Sequence, residues 1–303
     1  MNKSILVTPQ AFLYYKEFIQ KKFKKHNFKF VKGPINNNQK LIDYFKNVDA
    51  CILGSEKIDY KILKDQKKIK TICRFGTNVE NIDIKLCQKK KIKVFYLKKN
   101  INAKAVARHS LALLLSITNN LKYYSEISKK NIWKRKKNLS PFNIRVGIVG
   151  MGNIGKIFFN YLKKLEFSVN YFSRSSKKNL KAKYFNSLEK LIKNSDIISI
   201  HLPSSEKTKK LFSKKIMKLL KGKVLINTSR GDLLNEKYLY SLLKNNYINY
   251  AALDVFENEP TIKYSKKIRN LNNVLSTCHA SFYDEQTIKK MIFSSLEKLN
   301  LKN

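Results

Sequence analysis

The 303-residue sequence is poor in cysteine, glycine, proline, histidine and acidic side chains, and each shortage removes a class of protein. Four cysteines, Cys51, Cys73, Cys87 and Cys278, lie scattered without paired spacing. A disulfide framework is therefore excluded, and reduced, mostly buried thiols of a cytoplasmic protein are expected. The four histidines include none at ligand spacing to a cysteine, which argues against a metal site. A run of about 18 apolar residues, the length that crosses a bilayer, is missing, so no membrane partner is expected. The N-terminal Met1-Asn2-Lys3-Ser4 leads straight into Ile5-Leu6-Val7, without the cleavage pattern of a secretory signal.

Acidic residues number 21 against 63 lysines and arginines, a formal charge of +42. Only seven of the basic residues are arginine, and the lysines run along the whole chain together with abundant Asn and Ile. An AT-rich coding sequence favours that mixture. A nucleic-acid binder gathers Arg and Lys into a stripe with interleaved aromatics. The distribution instead reads as solvated lysine faces, with no nucleic-acid partner and a field that attracts small anions.

What is present points to two α/β domains, for which the chain is long enough. Short apolar runs alternate with helical patterns in two series, the signature of parallel α/β units. Strands are expected over 5–8, 50–54, 70–74 and 91–97, with helices such as 39–46 and 60–65 between them. A second series places strands over 145–150, 168–173, 196–202, 223–227, 250–255 and 273–277. Between the series lies an apolar-periodic helix, 103–119, and then a basic segment with the single tryptophan, Trp133. An amphipathic helix over about 285–299 closes the chain, and its return to the first series would make that domain discontinuous. The expected division is 1–99 plus 282–303 for one domain and 100–281 for the other.

The glycine shortage makes one stretch conspicuous. Four of the nine glycines fall within residues 147–155, in Val146-Gly147-Ile148-Val149-Gly150-Met151-Gly152-Asn153-Ile154-Gly155. The stretch ends an apolar strand and opens a helix, the context a dinucleotide fingerprint requires. Gly150 permits the tight turn, Gly152 lets backbone approach a pyrophosphate, and Gly155 lets the helix pack on the sheet. The N-terminus of that helix, expected over 156–164, together with Asn153, Ile154 and Gly155 ahead of it, offers N–H groups and a partial positive charge to phosphate. The next strand ends in Ser173-Arg174-Ser175, where sites for NAD carry Asp or Glu for the adenosine 2′-hydroxyl. A serine followed by arginine accepts a 2′-phosphate by hydrogen bond and charge, so NADP is expected in preference to NAD.

Further motifs follow in order: RFGTNVENID (74–83), NAKAVARHSLALLL (102–115), His201-Leu202-Pro203, NTSRG (227–231), ALDVFENEP (252–260) and Thr277-Cys278-His279. With the glycine loop they make the sequence resemble the D-isomer-specific 2-hydroxyacid dehydrogenases over nearly its whole length. The resemblance implies a flavodoxin-like substrate domain joined to a Rossmann-type cofactor domain. It also implies a small anionic keto or hydroxy acid as substrate, and a homodimer formed through the cofactor domain, around the long helix and Trp133. Arg230, Glu259 and His279 match the catalytic set. The chemistry suits them: a guanidinium holds a carboxylate and polarises a carbonyl, and an imidazole gives or takes a proton. A glutamate paired with that imidazole steadies its charge and orientation. Asp254 matches a residue that contacts the nicotinamide carboxamide. Thr228, Leu202 and Pro203 fall on cofactor loops, and Val106 packs near the nicotinamide ring. Gly76, Thr77 and Asn78 present N–H groups to the substrate carboxylate, shared with Arg230.

The sequence departs from the family pattern at Asn78, commonly glycine, at Arg108, commonly glutamate, and at Ala280-Ser281, commonly Gly-Gly, followed by Phe282. These positions bear on substrate identity more than on reaction type. A nicotinamide-dependent reduction of glyoxylate, hydroxypyruvate or 3-phosphohydroxypyruvate is the expected activity. A corepressor-like scaffold that binds the cofactor without turnover stands as the alternative.

Overall fold

A computed structural model describes residues 2–177, 180–257, 259 and 265–301 of the chain. They form two compact units, Met1–Asn102 with Asp284–Asn303, and Ala103–Tyr283.

In the first unit, β1 (Ser4–Val7), α1 (Lys16–Lys22), β2 (Asn27–Phe30), α2 (Asn38–Phe45), β3 (Ala50–Leu53), α3 (Tyr60–Leu63), β4 (Thr71–Arg74), α4 (Ile84–Lys89) and β5 (Lys93–Tyr96) alternate along the chain. The strands form one parallel sheet in the order β2-β1-β3-β4-β5. That is the flavodoxin-like winding, with its switch point between β1 and β3. Central strand β3 is buried along its whole length (Ala50, Cys51, Ile52, Leu53), as a parallel strand covered on both faces must be. Polar caps set the helix starts: Asn37, Asp59 and Asp83 each accept a backbone N–H in the first turn of α2, α3 and α4.

The second unit opens with α5 (Ala103–Thr118) and α6 (Leu121–Ser128). It continues through β6 (Arg145–Val149), α7 (Asn153–Lys164), β7 (Ser168–Phe172), β8 (Lys183–Phe185), α8 (Leu188–Lys193), β9 (Ile197–Ile200) and α9 (Lys214–Lys218). The unit ends with β10 (Val224–Asn227), α10 (Glu236–Lys244), β11 (Tyr250–Leu253), α11 (Ser265–Arg269) and β12 (Val274–Ser276). Its seven parallel strands run β12-β11-β10-β9-β6-β7-β8, the Rossmann order with one added edge strand. Two apolar clusters cover the faces of this sheet, one including Phe158, Phe167 and Tyr171, the other Phe212, Leu225 and Leu253. A last helix, α12 (Glu285–Lys298), capped by Asp284, belongs to the first unit and packs on β4.

Two strands, β2 and β8, were not expected from the sequence. Both are sheet edges, four and three residues long, with lysine facing solvent, so they lack the continuous apolar run that marks the central strands. Helix α7 begins at Asn153, three residues before the expected start at Lys156. Of the four thiols, Cys51, Cys73 and Cys87 are buried and Cys278 is exposed. Burial pushes the Cys73 and Cys87 thiols up to about 11, which keeps them protonated and unreactive. Among the described residues no helix is long and apolar enough to cross a membrane.

Candidate active site

Nearly every expected site residue of the second unit falls just beyond the C-terminal end of a strand, where doubly wound sheets bind ligands. Gly150 follows β6, Ser173 follows β7, and His201, Leu202 and Pro203 follow β9. Thr228 and Arg230 follow β10, Asp254 follows β11, and His279 follows β12. Val106 is the exception, buried on α5 one helical turn before Ser110. The Ser110 hydroxyl binds the Val106 carbonyl and the Thr228 hydroxyl, each at 2.8 Å, and so ties α5 to the loop after β10.

The glycine loop fits a dinucleotide. Gly150 has φ +102°, and a side chain there would strike the His201 carbonyl. A Cβ on Gly155 would meet the Gly150 carbonyl oxygen, so this glycine brings α7 onto the turn. Gly152 differs: a Cβ there would have no protein atom within 4 Å. It caps α7 without a side chain, ahead of the first intrahelical bond from Lys156 N–H to the Gly152 carbonyl. The N–H groups of Asn153, Ile154 and Gly155 therefore precede the helical ladder, beside a space that only a glycine leaves open. Free N–H groups beside open space at a helix start are the arrangement that phosphate oxygens suit.

The adenosine end is more particular. Ser173 is buried, and its hydroxyl donates to the Ser175 carbonyl at 2.6 Å. Its proton is thus used locally. Arg174 and Ser175 are exposed beside it. Lys177, which the sequence reading missed, brings its Nζ to 3.3 Å from Ser175 Oγ and its N–H to 2.9 Å from Tyr171 Oη. Its signal was hidden among 56 lysines.

His201 is buried, its Nε2 paired with Ser199 Oγ at 2.9 Å and its ring against Phe158 of α7. Its Nδ1 has no partner among the described residues, and burial holds its pKa down at about 3. The neutral ring packs against α7 beneath the glycine loop.

Around His279 the structure is most explicit. The residue has φ +55°, uncommon for a side-chain-bearing residue and frequent at functional turns. The cause is Asp254, which is fully buried. The N–H of His279 donates to the Asp254 carbonyl at 2.7 Å, that of Ala280 to Oδ1 at 2.8 Å, and that of Ser281 to Oδ2 at 3.1 Å. Three successive N–H groups converge on one acidic residue, a nest that requires the chain to turn through a left-handed residue. With the positive φ carried by His279, the two following positions need no glycine, which explains Ala280-Ser281. Thr277 Oγ1 adds a bond to Oδ1 at 2.5 Å, and His109 Nε2 stands 3.2 Å from Thr277 Oγ1 and 3.7 Å from Asp254 Oδ1. The carboxylate expected to reach a nicotinamide is thus engaged by three hydrogen bonds from its own chain.

The turn presents the imidazole with Nδ1 at 2.6 Å from Glu259 Oε2 and with Phe282 edge-to-face at 6.0 Å. Glu259 Oε1 accepts the Phe256 N–H at 2.5 Å. Its neighbours Asn258 and Pro260, within the expected motif, lie outside the described residues. Arg230 has an extended backbone, and its Nη1 donates to the Ser229 carbonyl at 2.6 Å. Asn227 shapes this loop from below, accepting from Ser229 N–H and donating to the Arg230 carbonyl. Gly231 follows because the Phe256–Glu257 peptide occupies the place of its Cβ.

In the first unit, Gly76, Thr77 and Asn78 follow β4. The Arg74 guanidinium folds under this turn, donating to the Phe75 carbonyl and to Asn81 Oδ1, and it fills the space a Gly76 Cβ would need. Asn81 then donates to the carbonyls of Gly54 and Glu56. Arg74 and Asn81 of the RFGTNVENID motif are therefore the frame of the turn. Asn78 is not among the positive-φ residues, so this position needs no glycine.

Comparison with known proteins agrees. Residues 111–281 match the family described as D-isomer specific 2-hydroxyacid dehydrogenase, NAD binding domain. The chain is 31% identical to the glyoxylate reductase of Thermococcus litoralis over 254 residues, covering 79% of this chain and 76% of that one. It is 28% identical to the hydroxypyruvate reductase of Thermotoga maritima, covering 86% of each. A phosphoglycerate oxidoreductase from Vibrio cholerae O395 superimposes with a TM-score of 0.89 at 21% identity, over 99% of this chain and 98% of that one, a likeness of fold. The ordered motifs, the two parallel sheets and the family match together establish that the chain belongs to the D-isomer specific 2-hydroxyacid dehydrogenases, nicotinamide-dependent oxidoreductases.

Proposed function

We propose that the enzyme reduces a short 2-keto acid, of the glyoxylate, hydroxypyruvate or 3-phosphohydroxypyruvate kind, with NADPH preferred over NADH. The observation that carries the chemistry is the 2.6 Å contact between His279 Nδ1 and Glu259 Oε2. It fixes the ring and leaves Nε2 as the nitrogen that exchanges a proton. Names of relatives such as glyoxylate reductase and hydroxypyruvate reductase support the substrate class.

Gly150, Gly152 and the N–H groups of Asn153, Ile154 and Gly155 would hold the pyrophosphate. Leu202, Pro203, Thr228 and Val106 would line the nicotinamide side, and Asp254 would serve that side by fixing the turn that carries His279. Arg174 and Lys177 would supply the charge for a 2′-phosphate. When bound, the nicotinamide supplies hydride to the carbonyl carbon. Arg230 binds the substrate carboxylate and polarises the carbonyl through its fixed fork of donors. His279 gives the Nε2 proton to the new hydroxyl oxygen, and Glu259 balances the ring whenever it is charged. In the oxidative direction His279 takes that proton back. Gly76, Thr77 and Asn78 form a second anion-binding candidate, in the first unit. The exposed Trp133, Phe142 and Leu121 of the second unit suit a homodimer, which light scattering would test.

Steady-state oxidation of NADPH and of NADH against glyoxylate, hydroxypyruvate, 3-phosphohydroxypyruvate and pyruvate tests the reading. His279→Ala should lower kcat by about 10²- to 10⁴-fold with cofactor affinity retained. Tight cofactor binding without turnover on any keto acid would instead make the chain a scaffold.

A further inference from the structure

Glu236 is a buried carboxylate to which the proposed chemistry gives no task. It is the first residue of α10, after Asn235, whose side chain caps the helix on Tyr238 N–H. The capped turn fixes where the Glu236 side chain goes, and Oε1 accepts the backbone N–H of Glu257 at 3.1 Å. Glu257 follows Phe256, whose N–H donates to Glu259 Oε1, so the backbone beside Glu257 is tied to the Glu259 side chain. Gly231 leaves room for the Phe256–Glu257 peptide, and the Arg269 guanidinium lies over the Phe256 ring at 4.2 Å. This backbone delivers Glu259 to His279.

We propose that Glu236 is a positioning residue: by accepting the Glu257 N–H it holds the backbone that aims Glu259 at His279 Nδ1. The inference rests on the reading of Glu259 and His279 as the working pair. Burial is the main cause that raises the Glu236 pKa above the ordinary carboxylate range, the Glu257 and Glu259 charges add to it, and Arg269 opposes it. Keeping an acid in so unwelcoming a place is costly unless it has a bond to make. Of the charged groups that face it, Glu257 and Glu259 follow β11 and Arg269 lies in α11, so Glu236 also feels any displacement of Glu259.

The test compares three substitutions in the full chain. Glu236→Ala removes the acceptor. Glu236→Asp keeps an acid in the first helical turn but withdraws it by one methylene. Glu236→Gln keeps an acceptor oxygen at the same reach without charge. The alanine and aspartate variants should lose roughly 10- to 100-fold in kcat, as small misplacements of catalytic groups do, with KM for NADPH unchanged. The glutamine variant should stay within about twofold of wild type. In a Glu259→Gln background, Glu236→Ala should have no further effect, because it acts only through Glu259. Wild-type kcat in the alanine and aspartate variants, a glutamine variant as poor as they are, or losses that multiply in the double variant would each overturn the proposal. If the alanine variant does not fold, the contrast of aspartate with glutamine decides. Should Glu259→Gln and His279→Ala both turn over normally, it is the reading of the working pair that fails, whatever Glu236 does.

Discussion

Replacing Asp254 by asparagine isolates the clamp beneath His279. The carboxylate accepts from Thr277 Oγ1, Ala280 N–H and Ser281 N–H at 2.5, 2.8 and 3.1 Å, with no exposure to water. Asparagine keeps a single acceptor oxygen. With that oxygen towards Thr277 and Ala280, its amide nitrogen faces the Ser281 N–H, donor against donor; the flipped amide loses two bonds instead. A hydrogen bond to a charged group contributes about 1.5–3 kcal/mol, and a buried N–H left without an acceptor costs about 1–3 kcal/mol. Neutralising a buried acid offsets part of this, since the amide sheds the cost of keeping a charge from water. A net loss of about 3 kcal/mol remains. For a unit of this size, spanning Ala103–Tyr283, that is a fall in Tm of about 6–12 °C. The left-handed His279 turn loses a third of its nest, so kcat should fall by roughly 10- to 100-fold. Thermal melting followed by circular dichroism, and turnover below the melting range, give the two readouts. A variant that melts within about 2 °C of wild type with normal kcat would refute the clamp.

Gly152→Ala should leave Tm unchanged, because its Cβ meets nothing and its φ of −82° suits alanine. The same Cβ intrudes on the phosphate cradle and should raise the Kd for NADPH by about tenfold or more, measured by fluorescence titration. Ser173→Asp places a carboxylate among Arg174, Ser175 and Lys177 and should move the kcat/KM ratio towards NADH by roughly 10- to 100-fold. His201 gives a pH signature. Its folded pKa of about 3 lies below the unfolded value, so the unfolded chain binds the proton first as pH falls. Its contribution is full above about 6.5 and is lost towards about 3, at up to about 1.4 kcal/mol per pH unit. Urea unfolding at pH 7 and pH 5 should therefore differ more in wild type than in His201→Gln, by about 2 kcal/mol; equal differences would contradict a buried neutral ring.

The sequence carried the features that local chemistry dictates. Central strand β3 is a continuous apolar run, and a glycine loop in a glycine-poor chain cannot be overlooked. Edge strands β2 and β8 stayed hidden because an edge needs only half a pattern. The frame of the site was hidden for another reason, that its partners are distant in the chain. Nothing in Thr277-Cys278-His279 announces a left-handed histidine, since the cause is Asp254, 23 residues before Thr277. Nothing near Glu236 marks it as holding Glu257, 21 residues later. Ser173 was read by type, and the structure shows its hydroxyl proton already engaged with Ser175.

The shortage of acid along this chain has a local exception. Asp254 and Glu259 follow β11 and Glu236 opens α10, and all three bear on His279 or on the residues that face it. A net charge of +42 would appear hostile to an imidazole that becomes positive when it takes a proton. Distance settles the matter. Solvated lysines more than about 8 Å away are largely screened at physiological salt. Glu259 touches the ring at 2.6 Å, with Asp254 sealed beneath the same turn, where screening by ions is weak. The touching carboxylate is therefore the dominant close charge on the ring, and solvated lysines act chiefly on what approaches from solution. Added salt should accordingly raise KM for an anionic keto acid while leaving kcat nearly constant, and a kcat that fell in step with KM's rise would show that the surface charge reaches the site after all.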